Sequence, residues 1–297
     1  MIGACGVSLA ARDGAQIDGA VLGIRPGYGP AAITPVPNLG AMDRWIWAPG
    51  LDQGWDPQGL AFARGELLVS AYRSRGFEVN RGPCRVFRID PASGRTTGHV
   101  DVPKPCGHAG GLAYAADGTL YIADTHTLFA IDLNRAFAEP DPLFRILRLS
   151  RGLTGAFATS GQRRLWIGAY REAQPAQMFG FGLSALNTLP DGAILTTGMA
   201  TARIPIPSYA QGAAFGADGT VWVARSEIAW GRLDRLDETG GRIGPGYPAP
   251  GGIEGIAFDP SGRLWGVSEA GARHIPLRYP FFPLTFRTDP ARLRPGG

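Results

Sequence analysis

Short apolar runs recur along the chain, each opened by a glycine and each followed, across a turn, by a second apolar run. The first unit is Gln58-Gly59-Leu60-Ala61-Phe62 with Glu66-Leu67-Leu68-Val69-Ser70-Ala71-Tyr72. The second is Gly110-Gly111-Leu112-Ala113-Tyr114, a turn at Asp117-Gly118, and Leu120-Tyr121-Ile122-Ala123-Asp124. The third is Thr154-Gly155-Ala156-Phe157 with Leu165-Trp166-Ile167-Gly168-Ala169-Tyr170. The fourth is Gln211-Gly212-Ala213-Ala214-Phe215, a turn at Asp218-Gly219, and Val221-Trp222-Val223-Ala224-Arg225. The fifth is Glu254-Gly255-Ile256-Ala257-Phe258, a turn at Ser261-Gly262, and Leu264-Trp265-Gly266-Val267-Ser268. β-branched and aromatic residues suit strands, and Asp-Gly supplies the positive φ of a hairpin turn.

A third strand follows in most units: Arg85-Val86-Phe87-Arg88-Ile89-Asp90, Leu128-Phe129-Ala130-Ile131-Asp132 and 230–236. The unit glycines, at 59, 111, 155, 212 and 255, recur at the period of four-stranded propeller blades. The pattern therefore predicts an all-β, five-bladed β-propeller. Pro283-Leu284-Thr285-Phe286-Arg287 reads as the last unit's third strand, and Arg44-Trp45-Ile46-Trp47 as its fourth, so that both chain ends close the ring. The organisation expected is an N-terminal segment over 1–52 giving the closing strand, a propeller over 53–290 and a tail over 291–297. A sixth blade within 15–50, starting at Asp18-Gly19-Ala20-Val21-Leu22, is the alternative. The aromatic run Tyr279-Pro280-Phe281-Phe282-Pro283 is expected to plug or cover the ring.

Composition supports this reading. The 297 residues include 44 Gly and 25 Pro, which long helices tolerate badly. No run approaches the ~20 apolar residues of a membrane helix. The net charge of +4 comes from cations scattered along the chain, with Lys104 the one lysine, so no nucleic-acid groove is indicated. Cys84 and Cys106 each follow a proline and read either as a disulfide of an exported protein or as two buried thiols. Cys5, in Ile2-Gly3-Ala4-Cys5, ends a string like a lipoprotein signal, but the preceding charged and apolar segments of a signal peptide are missing from the given chain.

Topology gathers the chemistry. The start of each inner strand and the end of the second strand lie on one face of a propeller. The residues before the unit glycines (Gln58, Gly110, Thr154, Gln211 and Glu254) thus meet at one channel mouth, with Asp56 and His108 just upstream. Tyr72, Arg73, Asp124, His126, Tyr170, Arg171, Arg225, Glu227 and Glu269 join them from the second-strand ends. Glu254 reads as metal ligand or general base, or else as the partner of Arg225. His108 reads as a general base or a loop cap. Gln58 and Gln211 bind a ligand or each other. Asp124 either binds ligand or accepts local N–H groups in a turn. The chain lacks Gly-x-Ser-x-Gly, a Walker A loop, Gly-x-Gly-x-x-Gly before a helix, and a His-x-x-x-His pair.

The x-Gly-φ-Ala-Phe…Asp-Gly-φ-Trp-φ pattern over about residues 53–270, φ here being an apolar residue, resembles the gluconolactonase-type propellers (the senescence-marker and lactonase group) and, more loosely, NHL-repeat propellers. The resemblance implies a divalent metal, often calcium, at the channel mouth, held by acidic and amide residues before the unit glycines. Carried onto this chain, the metal ligands are Glu254, Gln58 and Gln211, where the family more often has Asn and Asp. Thr154, Asp124 and Arg225 line the ligand site, and His108 or Asp56 activates water for hydrolysis of a lactone or ester. The alternatives are a non-catalytic propeller whose rim binds a small ligand or a protein partner, and a strictosidine-synthase-like condensing enzyme built on Glu254.

Overall fold

Glycines stand where the inner strands crowd together at the ring axis. A Cβ on Gly255 would lie 2.1 Å from the Leu60 nitrogen of the neighbouring blade, and one on Gly111 would lie 2.1 Å from the Ala158 nitrogen. Gly59 and Gly212 meet Leu112 and Glu254 backbone in the same way. Only a residue without a side chain lets these strands approach so closely.

A computed structural model describes residues 21–73, 82–276 and 278–296. Five sheets form a ring, antiparallel except that the short strand Ile194–Leu195 adds in parallel to the outer edge of blade 2. Blade 1 runs Trp55–Ala63, Glu66–Arg73, Cys84–Ile89 and Thr96–Val102 from axis to rim, and blade 2 runs Gly111–Tyr114, Thr119–Asp124, Thr127–Asp132 and Arg145–Leu149. Blade 3 runs Phe157–Gly161, Arg164–Gly168, Ala176–Gly182 and Ala202–Ile206. Blade 4 runs Ala210–Phe215, Val221–Glu227, Trp230–Leu236 and Tyr247–Ala249. Blade 5 runs Ile253–Phe258, Leu264–Ser268 and Leu284–Thr288, and takes its outer strand, Met42–Trp47, from the other end of the chain. Trp45 pairs with Phe286 and Trp47 with Leu284, so the expected clasp forms.

No sixth blade arises within 21–50, because Met42–Trp47 is already the fourth strand of blade 5; residues 15–20 of that alternative, and Cys5, lie outside the described residues. The aromatic run packs on the outer strands of blade 5 rather than over the ring: Phe281 and Phe282 are buried against Tyr28, Trp47 and Phe286.

The third unit is shifted by two residues from its expected register. Phe157, not Gly155, pairs with Gly168, and Phe157 and Ala158 are the residues that Gly111 meets. Bulk is exchanged across the hairpin: the inner strand carries Phe157, and the second strand carries Gly168, whose Cβ would stand 2.1 Å from the Phe157 ring. Gly155 instead packs on the Asp124 carbonyl.

Each gap between blades holds its own apolar cluster, for example Ile46, Leu60, Leu67, Ile89 and Trp265 between blades 5 and 1. Each fully buried Leu or Ile there contributes about 1.5–3 kcal/mol. Cys84 and Cys106 are disulfide-bonded, with Cα atoms 5.9 Å apart, tying the third strand of blade 1 to the loop that leads into blade 2.

Candidate functional site

The inner strands of blades 1, 4 and 5 each break register at the glycine motif: between Pro57 and Leu60, between Ala210 and Gly212, and between Ile253 and Ile256. Gln58, Gln211 and Glu254 sit in these three bulges. A bulge re-aims a side chain that regular pleating would direct elsewhere. Gln58 and Glu254 are buried, whereas Gln211 is partly exposed.

Gln58 donates from Nε2 to Oε2 of Glu269 at 2.9 Å and to the Pro57 carbonyl at 3.0 Å. It is not bonded to Gln211. Asp56, 1 % exposed, faces Tyr72 across the hairpin and meets Nδ1 of His274 at 2.9 Å. His108 packs edge-on to the Tyr72 ring, with centroids 5.1 Å apart. One half of the mouth therefore joins Asp56, Gln58, Tyr72, His108, Glu269 and His274.

Burial dominates the titration of this group. It drives the Glu254 carboxyl well above its ordinary range, and the charge of Glu269 adds to the shift. Glu269 is pushed up to about 7 by burial, with its Gln58 hydrogen bond opposing. Burial also raises Asp56, against its contacts with His274 and Tyr72. Burial lowers His108, against the pull of Asp124, and so holds the ring neutral. Burial opposes charge on His274 as well, but the hydrogen bond and charge of Asp56 outweigh it and raise the imidazole.

Glu254 has no hydrogen-bond donor among the described residues, although it is only 3 % exposed. Arg225 does not neutralise it. That guanidinium donates to the Ser208 carbonyl at 2.7 Å and to Asp234 at 2.8 Å, and Arg232 and Arg242 close on the same fully buried Asp234. The Glu254–Arg225 pair expected as an alternative is thus replaced by an arginine cluster on Asp234, a residue the repeat pattern does not mark.

Asp124 is a loop anchor. Its Oδ1 accepts the backbone N–H of His108 at 2.7 Å and of Ala109 at 2.9 Å, with Gly107 at 3.4 Å. Its partners are thus the loop entering blade 2 rather than its own turn. Thr154 lies three residues before Phe157, the position Asp56 occupies relative to Gly59, and is partly exposed. His126 is exposed in a hairpin turn.

Two members of the site lie outside the motif reading. Glu269 directly follows the second strand of blade 5 and sits among the rim residues, but nothing in its sequence sets it apart from them. His274 lies in the 269–283 connection of blade 5, where no periodicity operates, and only the folding of that connection over blade 1 reveals it.

Among the described residues, one group of three His, Cys, Asp or Glu side chains brings its ligand atoms within 4.8 Å: Cys84, Cys106 and Asp124. Its two sulfurs are bonded to each other and its carboxylate accepts backbone N–H groups, so these donors are already committed. At the far end of the channel, a cavity of about 110 Å³ is lined by Phe62, Tyr114, Phe215 and Phe258. Its lining includes no acid, base or histidine.

No protein-family model matches the sequence, and no curated protein does. Solved structures of similar fold include a glutaminyl cyclase from Myxococcus xanthus, at 14% identity over 84% of this chain and 94% of that one, with a TM-score of 0.54. A PQQ-bound aldose sugar dehydrogenase from Streptomyces coelicolor matches at 14% identity over 89% and 99%, with a TM-score of 0.49. A calcium-binding regucalcin from Agrobacterium tumefaciens matches at 18% identity over 83% and 93%, with a TM-score of 0.43. At these identities a likeness speaks to fold at most, and it is the ring of five blades that makes this chain a β-propeller.

Proposed function

We propose that the polar mouth hydrolyses a small lactone or ester. The observation that carries this reading is Glu269, a carboxyl poised at about 7, bonded to Gln58 and beside the Asp56–His274 pair. A group of that pKa exchanges protons efficiently at neutral pH. In the reaction, the Glu269 carboxylate takes a proton from water as the water oxygen attacks the carbonyl carbon. The tetrahedral oxyanion collapses, the acyl C–O bond breaks, and the leaving oxygen takes the proton back from Glu269. His274, whose charged form the Asp56 hydrogen bond and charge favour against burial, is the group we assign to stabilise the developing oxyanion. We place the base on Glu269 rather than on His108 or Asp56, because the His108 ring packs edge-on against Tyr72 and the Asp56 carboxylate is engaged by His274.

A divalent cation such as Ca2+ is a second reading, favoured by the donor-free carboxyl of Glu254. Glu254 with the amide oxygens of Gln58 and Gln211 would hold it, and when bound it would polarise the substrate carbonyl. The test is turnover on a panel of lactones and methyl esters, with and without a chelator, for the native protein and Glu269→Gln. The proposal expects chelator-insensitive turnover that falls about 100-fold or more in the variant. Chelator-sensitive turnover would move the chemistry to the cation reading. No turnover on any member of the panel would leave a propeller that binds without catalysis.

A further inference from the structure

We infer that the ligand of this mouth carries a cationic amine, seated on Glu254 against a wall formed by Tyr170, Tyr209 and Trp230. This inference rests on the polar mouth being the working site and names the class of molecule that enters it.

Glu254 lies at the mouth rather than within a blade. Its charge is felt by the hydroxyl of Tyr72 in blade 1 and by that of Tyr170 in blade 3, from two sides of the ring. It is buried, lacks a donor, and has Glu269 as its charged neighbour, of the same sign. Arg225, the rim cation of the adjacent blade, is committed to Asp234 and Ser208. Without a ligand, the Glu254 carboxyl keeps its proton; to ionise in this position it needs both positive charge and hydrogen-bond donors. A primary ammonium supplies both, with three N–H groups.

The groups beside Glu254 discriminate an ammonium from a metal ion. Trp230 backbone lies against Gly251, three residues before Glu254, and the Ser226 hydroxyl donates to the Ile253 carbonyl at 2.8 Å. This sets the Trp230 turn beside the start of the Glu254 strand. The Trp230 and Tyr209 rings are 5.3 Å apart at 76°, and Tyr209 and Tyr170 are 6.1 Å apart at 78°. All three rings are partly exposed. Calcium takes six to eight oxygen ligands, and π faces offer none of these. An alkylammonium is attracted to π faces and to a carboxylate together.

The wall is also held in place. Tyr209 adopts a left-handed backbone, φ 62°, uncommon for a tyrosine. Its N–H donates to the Arg171 carbonyl at 2.7 Å, and its own carbonyl accepts from Ser226 at 3.1 Å. The Trp230 indole donates to Glu227 at 2.9 Å. The Tyr209 ring stands between the Tyr170 and Trp230 rings at this held rim position.

The experiment is calorimetric titration of the whole protein with ethylammonium chloride, with ethanol and calcium chloride as controls, in the native protein, Glu254→Gln and Trp230→Leu. Ethylammonium should bind saturably where ethanol and calcium do not. Affinity should fall at least about tenfold in Glu254→Gln and about threefold to tenfold in Trp230→Leu. Trp230 is partly exposed, so its variant reads the same site should Glu254→Gln fail to fold. Absence of saturable ethylammonium binding overturns the inference, as does equal binding to native protein and Trp230→Leu, or displacement of the amine by calcium. Turnover of the neutral ester methyl acetate without ethylammonium binding would sink this inference and leave the hydrolytic reading in place. Ethylammonium binding without ester turnover would do the reverse.

Discussion

Nδ1 of His274 lies 2.9 Å from Oδ2 of Asp56, joining the last long connection of blade 5 to the innermost strand of blade 1. The contact spans the gap between blades 5 and 1. Its side chains are only 10% and 1% exposed, so solvent screens it weakly.

This pair and its neighbour Glu269 give stability a definite pH dependence. The raised pKa of His274 means its stabilisation is complete below about 6.5 and is lost as pH rises through the folded value. Glu269, raised to about 7, acts in the same direction, because its folded form keeps a proton that the unfolded chain has released. Stability should fall as pH rises between about 5 and 8, with Glu269 contributing on the order of 3 kcal/mol. Urea unfolding at stepped pH should show that slope, and it should flatten in Glu269→Gln. An unchanged slope in the variant would refute the assignment.

Asp124→Ala should cost about 2–3 kcal/mol, because it leaves the buried N–H of Ala109 and the N–H of His108 without their acceptor. The same change frees the loop that places His108 against Tyr72. Denaturant unfolding measures the first effect. A shift in the His108 ring proton resonances, which sense the Tyr72 face, measures the second. A variant that unfolds like the native protein with unmoved resonances would show that the loop is held by other contacts.

The Cys84–Cys106 disulfide closes a span of 22 residues, and that span leads into the same loop. By chain entropy, removing it should cost about 3 kcal/mol. Cys84→Ala/Cys106→Ala should therefore melt lower than the native protein, and adding a reductant should lower the native melting temperature but not that of the double variant. Equal melting with and without reductant in the native protein would contradict a stabilising bridge.

The ring was legible from sequence because its strictest packing constraint falls on one residue type. Gly59, Gly111, Gly212 and Gly255 recur since inner strands touch backbone to backbone there. Blade 3 obeys the same geometry with different chemistry. Phe157 fills the inner position and Gly168 yields across the hairpin, so a search for glycine settles on Gly155, two residues early. The site was legible in the same proportion. Gln58, Gln211 and Glu254 are tied to the motif, and bulges place them at the mouth. His274 and the Tyr209–Trp230 wall depend on how long connections and a left-handed residue fold over the rim, which no local pattern encodes. Arg225 shows the opposite error. It stands at the right rim position, but Asp234, two strands from the axis, captures it.

Gly255→Ala tests the claim on which the architecture rests. The added methyl would sit 2.1 Å from the Leu60 nitrogen, 2.6 Å from the Gly59 carbonyl carbon and 2.8 Å from the Gly59 Cα. All three are backbone atoms of an inner strand, so no rotamer change relieves the clash and blades 5 and 1 must part. Parting them opens the cluster of Ile46, Leu60 and Trp265 and moves Glu254 away from Gln58. The expected loss is about 3 kcal/mol or more. Gly182→Ala is the control, since nothing lies within 4 Å of its Cβ and its φ is −61°. It should unfold within about 0.5 kcal/mol of the native protein. Equal stability of the two variants would mean that the inner strands have slack at the axis, and the crowding that dictates glycine there would have to be abandoned.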